Sequence, residues 1–188
     1  MLIFPESTIF ALSENFIPFI VVEPTLVDLP AKGILVTEGV RGEGGILKNS
    51  EGKRFMFDYI PKKFANETAD TQEEAARWLN GDKNARRPPE LLTRDVVARA
   101  INTEVKAGRG SKHGGAYLDI AKERNAEDIK KKLPSMYHQF KILAELDITK
   151  EPMEVGPTCH YFMGGIKVDA ETTMTNINGL FACGEAAG

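Results

Sequence analysis

Apolar residues fall along this chain in short blocks whose spacing changes several times. From Phe16 to Val22 they are β-branched or aromatic and nearly continuous until Pro24, which predicts a buried strand. A shorter apolar segment, Gly33 to Gly39, runs into Arg41-Gly42-Glu43-Gly44-Gly45, where the glycines require a tight turn or a close approach of the backbone. Ile46-Leu47-Lys48 and Lys53-Arg54-Phe55-Met56-Phe57, joined by Asn49-Ser50-Glu51-Gly52, predict a β-hairpin.

Helical spacing takes over further on. Thr71 to Leu79 begins polar and Glu-rich, carries Ala75, Ala76 and Trp78, and stops near Gly81, so it predicts a short helix. Pro88-Pro89 forces an extended connection. Thr93 then suits the N-cap of a helix whose apolar positions Val96, Val97, Ala100, Ile101 and Val105 share one face, with Gly108 as the stop. Ala116 to Leu118 predicts a strand, and Ala126–Lys132 and Pro134–Leu146 predict two more helices, the second with proline in its first turn. The last forty residues return to strand-like pieces: Met153 to Val155, Ile166 to Val168, Met174 to Asn176 and Leu180 to Ala182. Helices and strands are segregated rather than alternating, so the expected class is α+β.

Composition narrows the functions without choosing one. At 188 residues a single domain is the default, and 42% apolar with 27% charged residues is ordinary for a globular protein. Lys+Arg 24 against Asp+Glu 27 leaves a formal net charge of -3, and no basic run exceeds Lys130-Lys131-Lys132, so nucleic acid is excluded as a partner. The first 22 residues hold Pro5, Glu6, Glu14 and Pro18 and lack a basic leader, which argues against a signal peptide or a direct membrane span. Cys159 and Cys183 lie outside any metal-ligand spacing, so no metal site is expected and a reducing cytoplasmic setting is the simpler reading.

Four clusters carry candidate chemistry. Thr37-Glu38 precedes the glycine-rich turn; read alone, it is a helix end with solvated charges. Arg94 stands beside the Thr93 cap, where the positive end of the helix dipole opposes a guanidinium and an anion nearby would offset that cost. His160 lies in Pro157-Thr158-Cys159-His160-Tyr161-Phe162-Met163-Gly164-Gly165, and the glycine pair allows a flat ring system to approach the backbone. Leu180-Phe181-Ala182-Cys183-Gly184-Glu185 sets a strand before Gly-Glu, the arrangement in which a carboxylate meets a sugar or ribityl hydroxyl.

Taken in order, LVTEGVRGEGG, RDVVARA, PTCHYFMGGI and GLFACGE resemble the flavoprotein subunits of succinate dehydrogenases and fumarate reductases from about Gly33 to Gly188. The resemblance implies a capping domain over residues 33–178, an atypical N-terminal segment over 1–32, and the start of a returning FAD-domain strand over 179–188. It implies that Thr37 and Glu38 help bind a substrate carboxylate and relay a proton, that Arg94 moves the proton, and that His160 donates to a carboxylate. Gly164, Gly165, Gly184 and Glu185 fall where the family meets FAD. Implied partners are a dicarboxylate such as succinate or fumarate, an FAD-binding domain and an iron–sulfur subunit, with the complex on the cytoplasmic face of a membrane.

The departures set further expectations. Glu23 stands where the family has a substrate-contacting histidine, and the GxGxxG phosphate-cradling fingerprint is not found. The chain by itself is therefore expected to be a fragment that neither holds FAD tightly nor turns over substrate, with an exposed apolar face that drives dimerisation. Two alternatives stay open: the cap of an L-aspartate oxidase, which shares RDVVARAI, and a stand-alone binding or interaction module.

Overall fold

The computed structural model describes residues 34–158 and 164–187, together with the strand backbone of residues 19–22. The chain divides into two compact units, one spanning Phe19–Thr158 and another that includes 164–187. In the larger unit, five strands form one antiparallel sheet: β1 (Phe19–Val22), β2 (Ile34–Val36), β3 (Ile46–Lys48), β4 (Ala116–Asp119) and β5 (Met153–Thr158), in the spatial order β2-β1-β5-β4-β3. Its helices are α1 (Gly39–Gly42), α2 (Gln72–Leu79), α3 (Arg94–Lys106), α4 (Ala126–Lys132) and α5 (Pro134–Leu143). A mixed helix-and-sheet architecture with an antiparallel sheet agrees with the α+β expectation.

Local chemistry explains most of these elements. Thr71 caps α2 by accepting the Glu74 N–H at 3.2 Å, and Asn125 caps α4 by accepting the Asp128 N–H at 2.9 Å. Helix α3 buries Val96, Val97, Ala100 and Ile101 and contacts β4 and β5. It ends where Gly108 adopts φ 76° while its N–H and that of Arg109 return to the carbonyls of Val105 and Glu104, a Schellman closure only glycine enters without strain. Around the sheet, Leu47, Phe55, Met56, Leu118, Ile129, Phe140, Ile148 and Met153 complete the core.

Three expectations are corrected. The hairpin of residues 46–57 stops at a single Lys48–Arg54 bridge: β3 pairs with β4, and Phe55–Tyr59 is a 3-10 turn. A strand would point Phe55 and Met56 to opposite faces, and the 3-10 turn buries both. The helix expected to reach Leu146 ends at Leu143, and Glu145 leaves it at φ 52°. In the smaller unit, Ile166–Val168, Met174–Asn176 and Leu180–Ala182 are not strands; single bridges join Ile166 to Ala187 and Met174 to Phe181. Asp169 competes for the backbone there, its Oδ1 accepting from the N–H groups of Glu171 and Thr172.

β4 and β5 approach so closely at Gly115 that a Cβ there would lie 2.2 Å from the Val155 carbonyl oxygen. Gly115→Ala is therefore expected to lower stability by about 1–3 kcal/mol, because main chain must move. Thermal denaturation checks it, and an unchanged melting temperature would contradict the close approach.

Candidate functional site

Where β2 ends, the chain turns through Thr37 and Glu38 into the single turn of α1. The Thr37 hydroxyl accepts the Gly39 N–H at 2.9 Å, which fixes the turn and leaves the hydroxyl proton to be donated elsewhere. Glu38, half-exposed, extends its carboxylate toward the first residue of α3. There Arg94 donates Nε–H to Glu38 Oε2 at 3.0 Å across 56 residues of sequence. The guanidinium that the helix dipole disfavours thus has an anion beside it.

A second arginine reaches the same oxygen. Arg41, only 4% exposed, lies with Nη2 3.9 Å from Glu38 Oε2 and donates through Nη1 to the backbone carbonyl of Glu90. Burial pushes the Arg41 pKa down; Glu38 and Glu90 oppose that, and the like charge of Arg94 adds to it. Beneath Arg41 the Glu90 carboxylate is itself buried and takes two parallel bonds from Arg54, Nε to Oε1 and Nη2 to Oε2, both 2.8 Å. Arg41, Arg54 and Glu90 were missed as site residues by sequence reasoning, which expects charges in a glycine-rich turn and beside prolines to be solvated. The available signal was Arg41 three residues after Glu38, one helical turn on.

The smaller unit holds the other candidates. Among the described residues, nothing lies within 4 Å of where a Cβ would stand on Gly164 (φ 89°) or Gly184 (φ 62°), so their backbone is open to close approach. Gly165 is required by the chain itself, since a Cβ would lie 2.6 Å from the Ala186 carbonyl oxygen. Glu185 is exposed in the 3-10 turn Gly184–Ala186. His160 and Glu23 lie outside the described residues. Thr37, Glu38 and Arg94 are thus brought together in one unit, and the four positions near the C-terminus in the other. Among the described residues no three His, Cys, Asp or Glu side chains are grouped to hold a metal, and no helix is long and apolar enough to cross a membrane.

Comparison with known proteins decides the family. The family model described as FAD binding domain matches residues 10–188. The chain belongs to that family, among the flavoprotein subunits of succinate dehydrogenases and fumarate reductases. It is 47% identical over 157 residues to a chain of the fumarate reductase (CoM/CoB) of Methanothermobacter marburgensis, covering 84% of this chain and 23% of that protein. It is 38% identical over 159 residues to the 8-methylmenaquinol:fumarate reductase flavoprotein subunit of Wolinella succinogenes, covering 82% and 22%. Among solved structures, Mycobacterium smegmatis Sdh1 in complex with UQ1 matches with a TM-score of 0.59 at 56% identity, over 91% of this chain and 25% of that one. The chain therefore spans about a quarter of the length of these relatives. The family match runs through both compact units without a break.

Proposed function

We propose that residues 33–178 form the substrate-capping part of a flavoprotein that interconverts succinate and fumarate, and that Arg94, Glu38 and Arg41 form its proton path. One observation carries this reading: a single carboxylate, Glu38, lies between two guanidinium groups drawn from separate elements. A small dianion is held best by fixed cations and donors in a site from which water is excluded, where each interaction counts for more than in bulk water. Arg94 and the Thr37 hydroxyl supply such donors, and His160 would give a hydrogen bond to a substrate carboxylate.

In the direction of succinate, Arg94 gives a proton to the carbon next to the one that receives hydride. Arginine is a poor acid in water, so its proton must be replaced at once. Glu38 does this through the 3.0 Å contact to Nε, and Arg41, 3.9 Å from the same oxygen, is the next group on the path. In the direction of fumarate the same atoms carry the proton the other way. FAD, when bound, supplies the hydride acceptor or donor. Gly164 and Gly184 fit its contact by presenting bare backbone, Gly165 by keeping their turn compact, and Glu185 by offering a carboxylate to a hydroxyl. An iron–sulfur subunit would then accept the electrons.

The test is an assay of the chain completed with a flavin domain. Succinate is expected to bleach the flavin and fumarate to restore its colour. Bleaching by aspartate but not succinate would move the assignment to an L-aspartate oxidase, and response to neither would leave an interaction module.

A further inference from the structure

The buried ion pair behind the site has no evident reason to exist as a stabilising device. Arg54 and Glu90 have side chains 8% and 1% exposed, and removing both charges from water costs about as much as their attraction returns. Apolar residues of similar volume would fill the same space without that cost. What the pair does is hold the Glu90 carboxylate by two 2.8 Å bonds. From Glu90 two connections lead to the two arginines that meet at Glu38 Oε2.

The first is direct: the Glu90 backbone carbonyl accepts from Arg41 Nη1. The second runs along the chain. Glu90 sits in the 3-10 turn Pro89–Leu91, closed by Leu91 N–H to the Pro88 carbonyl and Leu92 N–H to that of Pro89. That turn passes through buried Leu92 to the Thr93 cap and Arg94, only four residues from Glu90. Arg54 is anchored in its turn: it bridges Lys48 of β3 through the backbone and lies over the Phe57 ring at 4.9 Å. The pair thus ties a sheet edge to the segment from which both arginines are placed.

Building on the proton path proposed above, we infer that Arg54 and Glu90 are positioning residues that hold Arg41 and Arg94 at their separation across Glu38. Neither touches the reacting atoms.

The experiment replaces the pair together, Arg54→Met with Glu90→Leu, which avoids stranding one buried charge. The Glu90 backbone carbonyl survives this change, so loss of the Arg41 bond reports its displacement and not the loss of an acceptor. Hydrogen exchange of the Arg41 guanidinium is followed by nitrogen-15 NMR on the 188-residue chain, with Arg41→Lys to assign the signal. Exchange is expected to speed up by about tenfold or more, the weight of one charge-assisted hydrogen bond, while amides of α3 and β4 keep their protection. An unchanged Arg41 signal overturns the inference. So does a general loss of core protection, which would make the pair merely structural. In the chain completed with a flavin domain, the same double variant is expected to lower kcat with little change in KM. If Arg41 loosens but kcat holds, the positioning of Arg41 stands and the reading of Arg41 as part of the proton path falls.

Discussion

Replacing Arg94 by glutamine in the chain completed with a flavin domain is expected to lower kcat for succinate oxidation by about 10²–10⁴-fold, the usual range for a lost acid–base group. Stability should scarcely change. The Arg94–Glu38 pair is partly exposed on both sides, so it contributes about 0–1 kcal/mol, and removing a cation from a helix N-terminus recovers part of that. Lysine should not rescue, because its point charge cannot donate to Glu38 from an Nε while presenting further donors in the same plane. Glu38→Gln should lower kcat as well. It should also lower stability, since buried Arg41 loses its nearest carboxylate oxygen. The double variant is expected to be no slower than the worse single one, because groups on one proton path fail together. Stopped-flow reduction of the flavin by succinate measures all four variants, and retention of more than about a tenth of the wild-type rate by Arg94→Gln would remove Arg94 from the path.

What the sequence discloses follows from the range over which each cause acts. Helix α3 is legible because its stripe, its cap position and its Gly108 stop all lie within about fifteen neighbouring residues. Thr71 and Gly81 bracket α2 in the same way. Strand pairing is not legible at this level: β1 joins β5 across more than 130 residues, and strands of three or four residues carry too little alternation to name a partner. The failed hairpin shows the cost, since Phe55-Met56 looked like strand and was claimed by the core as a 3-10 turn. In the site, motif resemblance picked out Thr37, Glu38 and Arg94, and their meeting in space required the fold. Arg54 and Glu90 stayed hidden because a buried charge betrays itself through its partner, here 36 residues away, whereas the i,i+3 spacing of Glu38 and Arg41 was there to be read.

Another buried charge, Glu104, ties three parts of the larger unit together. Glu104 falls on the buried stripe of α3, in register with Val97, Ala100 and Ile101, where its charge is out of place; it is 2% exposed and accepts from Asn49 Nδ2 at 2.9 Å, Tyr59 Oη at 2.6 Å, and Arg109 Nε and Nη2 at 2.9 and 2.8 Å. One carboxylate therefore joins the loop after β3, the 3-10 turn Phe55–Tyr59 and the C-terminal end of α3. Glu104→Ala is expected to cost about 3–5 kcal/mol, because Asn49 is left buried without its acceptor and Arg109 and Tyr59 lose theirs. That corresponds to roughly 6–20 °C in melting temperature for a domain of this size. The pH dependence identifies the mechanism. The Arg109 bonds, aided by Tyr59 and Asn49 against burial, hold the Glu104 carboxyl down to about 2 from 4.5. A depressed carboxyl stabilises fully above its unfolded value and loses that contribution as pH falls through the folded one. With Arg109 partly exposed, the pH-dependent part is about 2 kcal/mol. The stability gap between wild type and Glu104→Gln should accordingly be widest above about pH 5 and narrow toward pH 2 in urea titrations. A gap that stays constant across this range would mean that shape, not charge, is what Glu104 contributes.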